Sequence, residues 1–402
     1  MRQGARVKSL QEILELFLTN PQPIDRLLKL YFAARRYMGS KDRLFIKDHI
    51  FGLFRHWELV KWGVDFKPRR LILSYLIRVL KWSQQDFDQN LEMSSYAFEP
   101  LTEIEHQILF DLDTNSGPYP GYVLANVPEF QWLEFQKSFG QDYMAHAKAL
   151  CGQASLDLRV NTLLTTRTQV LQQLKDLDID ATTTPYSHTG IRLSKRLNLE
   201  SFLLYKSGHI DVQDEGSQLL TAFCQVQPYD NVLDLCAGAG GKTLALAALI
   251  NNQGKITATD IDAKRLANIY TRLERAQVHN VEVTPWPLDK ALNSFDVVLI
   301  DAPCSGSGTW RRAPDLRARW TPEDQINVLK AQAEILNMSC QWLAPNGRLI
   351  YATCSTLSSE NDQQIDQFLK QHPDFTKTRE IKFSPLTHQT DAFYGAELMK
   401  II

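Results

Sequence analysis

Two cysteines each follow an apolar run and lie in a turn of small residues. Cys304 comes after "DVVLIDAP" and precedes "SGSGT", while Cys354 comes after "GRLIYAT" and precedes "ST". Such apolar runs predict strands, and in an open α/β sheet the ligand cleft lies outside the carboxyl ends of the strands. A thiol in a small-residue turn is accessible, and its thiolate is a soft nucleophile. The two cysteines are therefore candidate nucleophiles at successive strand ends.

The glycine-rich stretch "DLCAGAGGKT" allows three interpretations. A phosphate-binding P-loop needs Gly-x-x-x-x-Gly-Lys-[Ser/Thr]. Gly241, Lys242 and Thr243 fit the end of this pattern, but Cys236 occupies the position of its first glycine. A dinucleotide fingerprint needs Gly-x-Gly-x-x-Gly. Gly238 and Gly240 supply two of these glycines, and Thr243 stands at the third position. The spacing therefore excludes an NTPase loop and gives only a weak dinucleotide match.

Acidic residues beside this stretch favour a cationic cofactor. Asp234 ends the first predicted strand directly before the glycines. Its charge would repel a pyrophosphate but attract the sulfonium and ammonium groups of S-adenosylmethionine. Asp260, at the end of the second predicted strand, is placed to bind a ribose diol, which NAD and S-adenosylmethionine share. Asp234 therefore decides the interpretation in favour of S-adenosylmethionine.

One reaction combines a thiol with this methyl donor. C5 of a pyrimidine becomes nucleophilic once a thiolate adds to C6, and charge then builds on N3 of a cytosine. Asp301, shortly before Cys304, is the nearest candidate to protonate N3 or hydrogen-bond to it, and Lys242 could lower the pKa of the thiol. A base then removes the C5 proton so that the thiol can leave. We therefore expect methylation of cytosine C5.

A doubly wound α/β domain is predicted to position these residues. From residue 199 onward, short apolar strands such as "NVLDLCA", "KITATDI" and "FDVVLIDAP" alternate with helices, which predicts a parallel sheet. Residues 1–112 are predicted to be all helical, with Ser9 as an N-cap and Pro68 opening a buried helix. Residues 113–127 are predicted to be a linker, and 128–198 a small α+β module.

Composition limits the possible partners. Net charge is −2 with 44% apolar residues, so a nucleic-acid partner must be met by local basic surface. The six cysteines form no CxxC pair, and no apolar run is long enough for a membrane span. The N-terminus shows no secretory signal. We expect a cytoplasmic monomer with no metal and no membrane association.

These segments resemble the Sun/Fmu-type RNA cytosine-C5 methyltransferases, which act mainly on ribosomal RNA and tRNA. The matching segments are "QDEGSQL", "DLCAGAGGKT", "DIDAKRL", "DAPCSGSGT" with "RRAPD", "YATCST" with "SEND", and "DAFYGAELMK". "LRVNTL" resembles the strand that opens the family's small RNA-binding module. The N-terminus, with "RYMGSKDR", is similar to the NusB-like domain of bacterial small-subunit rRNA members. The resemblance implies a Rossmann-like class I methyltransferase domain over 199–402, preceded by two RNA-binding domains.

The resemblance also implies residue roles. Cys354 would attack C6, and Cys304 would assist release of the methylated RNA. In DNA cytosine methyltransferases the attacking thiol lies in the PC motif, so the swapped assignment stays open. The resemblance, with the residue arguments above, gives this set of cofactor-binding residues: Asp234, Cys236, Ala237, Gly238, Ala239, Gly240, Gly241, Lys242, Asp260, Ile261, Arg265, Asp289, Asp301 and Pro303.

An arginine-rich segment between two tryptophans, "TWRRAPDLRARW", predicts phosphate contact and base stacking. The expected RNA-binding residues are Arg311, Arg312, Arg317 and Arg319, together with Arg159 and Asn161 from the small module. The target cytosine must be unpaired or flipped to reach a thiol. Three alternatives remain: a non-catalytic RNA-binding ribosome-assembly factor, tRNA as the substrate, and a DNA methyltransferase. The last is weakened because no large target-recognition insertion separates the cysteine motifs.

Overall fold

The computed structural model describes residues 1–91, 97–107, 118–195, 197, 199–289 and 291–400. The chain forms two compact units, Met1–Gly152 with Trp310–Pro322 and Gln153–Thr309 with Glu323–Ile402. Within these described ranges, none of the helices combines the length and apolar character needed to span a bilayer. Nor does this part of the chain contain a group of three or more His, Cys, Asp or Glu side chains that could hold a metal ion.

The described part of the first unit is helical. Its first helix buries a stripe at Val7, Leu10, Leu14 and Phe17, the spacing of one helix face, and packs against the third and fifth helices. The helices are α1 (Gln3–Thr19), α2 (Ile24–Ala33), α3 (Ser40–Arg55), α4 (Trp57–Lys61), α5 (Pro68–Arg78), α6 (Gln84–Asn90), α7 (Gly121–Ala125), α8 (Glu129–Phe139) and α9 (Tyr143–Leu150), with a short helix at Leu316–Arg319.

Two expectations for this unit need correction. Ser9 lies inside α1, where its hydroxyl donates to the Ala5 carbonyl at 3.0 Å, so it is not an N-cap. Residues 121–125 of the expected linker form α7, and residues 108–117 lie outside the described residues. By contrast, Pro68 does open α5, whose residues Leu71 to Ile77 are buried.

The small module forms a four-stranded antiparallel sheet with the order β2-β3-β1-β4. Its elements are β1 (Leu156–Val160), α10 (Arg167–Asp176), β2 (Ala181–Thr183), β3 (Gly190–Leu193), α11 (Leu203–Lys206) and β4 (Ile210–Val212). Thr166 caps α10 in a reciprocal pair with Gln169. The fourth strand, β4, lies beyond residue 198, and α8 and α9 group with the first unit.

The large sheet has the order β10-β11-β9-β8-β5-β6-β7. The five strands from β9 to β7 are parallel, and β10 and β11 extend the edge antiparallel. The strands are β5 (Asn231–Asp234), β6 (Lys255–Ala258), β7 (Val281–Val283), β8 (Phe295–Asp301), β9 (Leu343–Thr353), β10 (Phe375–Phe383) and β11 (Phe393–Lys400). This order, with the switch between β5 and β8, defines a Rossmann-like fold.

Helices cover both faces of this sheet. Val232 and Val297 pack into one apolar cluster, while the following residues, Leu233 and Val298, pack into another. Successive strand residues point to opposite faces, so both faces are buried, as expected for a parallel sheet. The helices are α12 (Glu215–Phe223), α13 (Gly241–Leu249), α14 (Ala263–Leu266), α15 (Ile269–Ala276), α16 (Pro322–Ser339), α17 (Asp362–Gln371) and α18 (Pro385–His388).

Candidate active site

The carboxyl ends of four parallel strands collect the residues expected to do chemistry. Asp234 ends β5, Asp301 ends β8, and Cys354 directly follows β9. Asp260 lies two residues beyond β6. Because these strands are parallel and adjacent, their carboxyl ends lie at the same edge of the sheet. The residues expected to line the ligand cleft therefore lie together at this edge.

The two cysteines face each other across two adjacent turns. The Sγ atoms of Cys304 and Cys354 are 3.3 Å apart, and both are free thiols. Pairing of β8 with β9 brings the turns together, and the Gly308 N–H donates to the Cys354 carbonyl at 3.0 Å. The hydrogen bond with Cys354, followed by burial, raises the pKa of the Cys304 thiol well above its usual value. Cys304 therefore stays protonated beside the second sulfur.

Lys242 supplies a fixed positive charge near the thiols. Its Nζ donates to the Asp301 carboxylate at 2.7 Å. Burial opposes the charge, yet the pKa of Lys242 is raised because Asp301, and then Cys354 and Asp234, favour the ammonium. A lysine that stays charged in a buried site favours anions nearby. The structure thus brings together Lys242, Asp301 and both cysteines.

The glycine-rich turn after β5 is tightly packed beneath and open above. Gly238 and Gly240 have positive φ angles of 55° and 82°, and a Cβ at Gly240 would lie 2.4 Å from the Ile269 side chain. A Cβ at Gly241 would meet nothing within 4 Å. The Asp260 carboxylate accepts the Gly238 N–H at 2.7 Å and so fixes the turn. The turn therefore presents an open face to a ligand.

Asp234 lies under this turn, without exposed surface. One carboxylate oxygen accepts from the Thr243 hydroxyl at 2.6 Å. The other has no hydrogen-bond partner among the residues that the structure describes. Burial raises the pKa of Asp234 to about 7, and Asp301 adds to the effect against the opposing hydrogen bond from Thr243. Thr243 is a hydrogen-bond partner of Asp234 that the sequence interpretation missed.

Three further cofactor candidates, Cys236, Ala237 and Ala239, lie in the glycine-rich turn itself. The Ala237 N–H donates to the Thr259 carbonyl at 2.9 Å, and the Ala239 carbonyl accepts from Arg272 at 2.7 Å. Burial, followed by Asp301, raises the pKa of Cys236 and so favours the protonated form of this third thiol.

Other candidates lie beyond the turn itself. Ile261 is 84% exposed directly after Asp260, and Asp289 is also exposed. Arg265 lies over Gly238, since a Cβ there would be 2.7 Å from its Nε. The Pro303 carbonyl accepts from Gln332 at 2.8 Å. Ile261 therefore offers an apolar surface beside a candidate ribose ligand.

Two residues of the small module, expected to bind RNA, are buried in structural contacts. Arg159 is 5% exposed and lies 3.9 Å from Asp211, and burial lowers its pKa to about 10. The Asn161 side chain donates to the carbonyls of Gly208 and Ala276 at 3.0 and 2.9 Å. These contacts join the module to α15, so direct RNA contact by either side chain does not fit the structure.

The arginine-rich segment belongs to the first compact unit. Arg317 is 3% exposed, donates to the carbonyls of Asn126 and Leu150 at 2.9 and 3.1 Å, and stacks on Trp310. This burial corrects the expectation that Arg317 binds RNA, because its guanidinium is held by the protein. Arg319 pairs with Asp315 at 2.8 Å. Arg311 is buried as well, and Arg312 and Arg319 are half-buried.

Comparison with known proteins agrees with this architecture. The family described as "16S rRNA methyltransferase RsmB/F" matches residues 221–399, and "Methyltr_RsmF/B-like, ferredoxin-like domain" matches residues 127–200. The crystal structure of PH0851 superposes with a TM-score of 0.79 at 23% identity and covers 99% of both chains. A methyltransferase homolog protein from Pyrococcus horikoshii has a TM-score of 0.61 at 25% identity, covering 70% of this chain and 97% of that one.

Two curated relatives are similar in sequence. The probable ribosomal RNA small subunit methyltransferase B of Synechocystis sp. is 30% identical over 299 residues, which cover 68% of this chain and 66% of the relative. The ribosomal RNA small subunit methyltransferase B of Photorhabdus laumondii is 33% identical over 284 residues, with the same coverage. The chain thus spans just under two thirds of the length of these relatives.

A Rossmann-like sheet with a glycine-rich turn after its first strand and two thiols at its carboxyl edge defines the class of Rossmann-like methyltransferases. Within that class, the chain belongs to the RsmB/F methyltransferase family. The resemblance drawn from the sequence motifs is thereby confirmed at the level of the family.

Proposed function

We propose that this protein transfers a methyl group from S-adenosylmethionine to C5 of a cytosine in small-subunit ribosomal RNA, through a covalent bond between a cysteine and C6. The observation that carries the proposal is the pair of free thiols at 3.3 Å, placed at the carboxyl edge of a Rossmann-like sheet. The names of the curated relatives support ribosomal RNA over tRNA.

The open turn and its surroundings fit the cofactor. The face at Gly241 leaves room for a ligand, and the unpartnered oxygen of Asp234 adds negative potential beneath the turn. Residues 236–242 would hold the methionine end, Asp260 the ribose diol, and Ile261 the adenine. When bound, S-adenosylmethionine would supply an electrophilic methyl group next to the thiols. These positions agree with the general placement of ligands outside the carboxyl ends of strands.

Cys354 is the proposed nucleophile. Its thiolate adds to C6 while the Lys242–Asp301 pair supplies a proton to N3: Lys242 protonates the Asp301 carboxylate to which it donates, and Asp301 passes the proton on. C5 thereby gains the electron density needed to accept a methyl group. Lys242 holds Asp301 in place and contributes positive charge near the sulfur. After methyl transfer, a water molecule takes up the C5 proton, the electrons of the C5–H bond restore the C5–C6 double bond, and Cys354 leaves as the thiolate while N3 returns its proton to Asp301. Cys304, kept protonated by its raised pKa, assists this release as a hydrogen-bond donor.

Cysteine variants test the proposal. The protein is incubated with S-adenosylmethionine labelled in its methyl group and with small-subunit rRNA. We expect C354A to abolish transfer and C304A to accumulate a covalent RNA adduct. C340A should behave like the unaltered protein, because Cys340 precedes the amino end of β9 whereas Cys354 follows its carboxyl end. Bisulfite sequencing of the RNA locates the modified cytosine. Full activity in C354A together with loss in C304A would establish the swapped assignment instead.

A further inference from the structure

The buried carboxylate of Glu360 contacts both turns that carry the cysteines. One oxygen accepts the backbone N–H of Ser305, the residue after Cys304, at 2.8 Å. The other accepts the hydroxyl of Ser355, the residue after Cys354, at 2.7 Å. Glu360 has no exposed surface. A single side chain therefore links the two turns from below.

Hydroxyl groups reinforce this link. The Oγ atoms of Ser305, Ser307 and Ser355 lie 3.1 to 3.2 Å from one another. Ser307 also accepts the N–H of Thr356 at 2.8 Å. All three serines are buried, so their hydrogen bonds are shielded from water and specify one arrangement of the turns.

The surrounding residues fix Glu360 itself. Its backbone carbonyl accepts from the Tyr351 hydroxyl at 2.7 Å, and Gln332 donates to its side chain at 3.1 Å. The same Gln332 amide also donates to the Pro303 carbonyl at 2.8 Å. The neighbouring Asn361 donates to the Ser355 carbonyl at 3.0 Å. The carboxylate is thus held on three sides and has little freedom to follow a moving turn.

We propose that Glu360 is a positioning residue, which sets the separation of the Cys304 and Cys354 sulfur atoms by anchoring Ser305 and Ser355. The hydrogen bonds of the Glu360 carboxylate go to Ser305, Ser355 and Gln332 and not to either sulfur, so it positions the sulfurs through the two turns. The proposal deepens the proposed function, on which its catalytic consequence rests: attack on C6 and release of the product need both thiols at one cytosine. A misplacement of about 1 Å can reduce a reaction rate on the order of 100-fold.

Three variants separate positioning from folding. E360A removes both anchors, and E360Q keeps an acceptor for the Ser305 N–H. S355A leaves the anchor to Ser305 and removes the anchor to the second turn, together with the contacts of the Ser355 hydroxyl to Ser305, Ser307 and the Leu357 N–H. E323Q, at an exposed glutamate near the start of α16, is the matched control. For each we would measure thermal unfolding, S-adenosylmethionine affinity by calorimetry, and the single-turnover rate of covalent adduct formation with RNA containing 5-fluorocytidine.

We expect E360A to slow adduct formation by about tenfold or more. The rates of S355A and E360Q should lie between those of E360A and the unaltered protein. In all three variants, the affinity for S-adenosylmethionine should stay within about twofold of that of the unaltered protein. Rescue by the conservative E360Q identifies positioning by a hydrogen-bond acceptor. If E360A instead loses thermal stability and cofactor affinity while folded molecules form the adduct at the normal rate, or if nothing changes, the proposal is overturned.

A second measurement does not depend on catalysis. Diamide, a diazene, oxidises two thiols to a disulfide and is itself reduced to a hydrazine, taking up the two protons and two electrons. Mass spectrometry of the peptides with Cys304 and Cys354 then reports how readily the pair closes. We expect closure to slow by about tenfold in E360A, because the effective concentration of one thiol at the other falls. Equal rates would contradict the proposal, whereas an absence of RNA adduct in the unaltered protein would count only against the proposed function.

Discussion

The carboxylates at the carboxyl edge of the large sheet serve three different electrostatic purposes. Asp260 accepts two backbone N–H groups, from Gly238 and Asp262, and so shapes the turn. Asp301 is paired with Lys242. Asp234 is buried with one unpartnered oxygen, and its pKa is raised to about 7. Only Asp234 therefore carries an electrostatic cost that a cationic ligand could relieve.

This cost makes stability depend on pH. The raised pKa of Asp234 means that the folded protein keeps this proton to higher pH than the unfolded chain does. Its contribution is fully present below its ordinary pKa of 3.8 and is lost as pH rises toward about 7. We expect the unfolding free energy to fall over this window, by up to about 1.4 kcal/mol per pH unit from this group. Urea unfolding of the unaltered protein and of D234N at several pH values measures this fall. Equal slopes of unfolding free energy against pH in the two proteins would contradict the prediction.

The same ionisation of Asp234 should raise cofactor affinity as pH rises, whereas it lowers stability. The ionised Asp234 attracts a sulfonium, so binding of S-adenosylmethionine should tighten by up to about tenfold per pH unit as pH rises toward about 7, and should level off above it. S-adenosylhomocysteine, whose sulfur is neutral, should show a smaller rise. Calorimetry of both ligands gives the comparison. D234N should remove the difference between them, and an identical pH dependence for both ligands would show that Asp234 does not sense the sulfonium.

At the scale of elements, two glycines differ in the space around their Cα atoms. A Cβ at Gly308 would lie 2.3 Å from the Ala392 carbonyl and 2.8 Å from that of Cys354. These are backbone atoms of the turn beside β9 and of the residue before β11, so neither can move aside cheaply. A Cβ at Gly241 meets open space. One glycine is thus required by packing, and the other leaves room for a ligand.

Alanine substitutions distinguish the two glycines. G308A should destabilise the protein by about 1 to 3 kcal/mol, the usual cost of overpacking, and should displace Cys354. G241A should leave the unfolding temperature nearly unchanged and weaken S-adenosylmethionine binding, because the added methyl group projects into the open face. Differential scanning calorimetry and titration calorimetry on both variants test this. A well-folded G308A with full activity would show that the close approach is not required.

Strand ends were predictable from the sequence, and burial of long polar side chains was not. Short β-branched runs mark β5, β6 and β8, and strand polarity then places Asp234 and Asp301 at one edge. The spacing of arginines and aromatics in residues 310–320 fits a surface that binds nucleic acid and also a buried stack. Only the tertiary contacts of Arg317 with Asn126 and Leu150 distinguish the two. Glu360 had no sequence signal beyond its place in "SEND", because its partners come from three separate segments: the turn after β8, α16, and β9 with the turn that follows it.

At the scale of the whole molecule, the two compact units are not successive along the chain. Residues 310–322 return to the first unit between two parts of the second. In that segment Trp310 is 2% exposed and stacks with Phe135, and Asp315 accepts the backbone N–H of Ile24 at 3.3 Å. The family match over residues 221–399 runs straight through this return. The first unit is therefore completed by a segment of the chain's second half.

A truncated variant that begins at residue 153 should consequently be impaired, even though it retains every residue proposed for catalysis. It would expose the Trp310 ring and leave the Arg317 guanidinium without its carbonyl partners, which favours association through apolar surface. We expect aggregation in size-exclusion chromatography. A matched variant in which a Gly/Ser linker of the same length replaces residues 310–322 should remain monodisperse, since a flexible polar linker needs no buried partner. If the first truncated variant is monodisperse and binds S-adenosylmethionine as the full chain does, residues 310–322 do not depend on the first 152 residues for their burial.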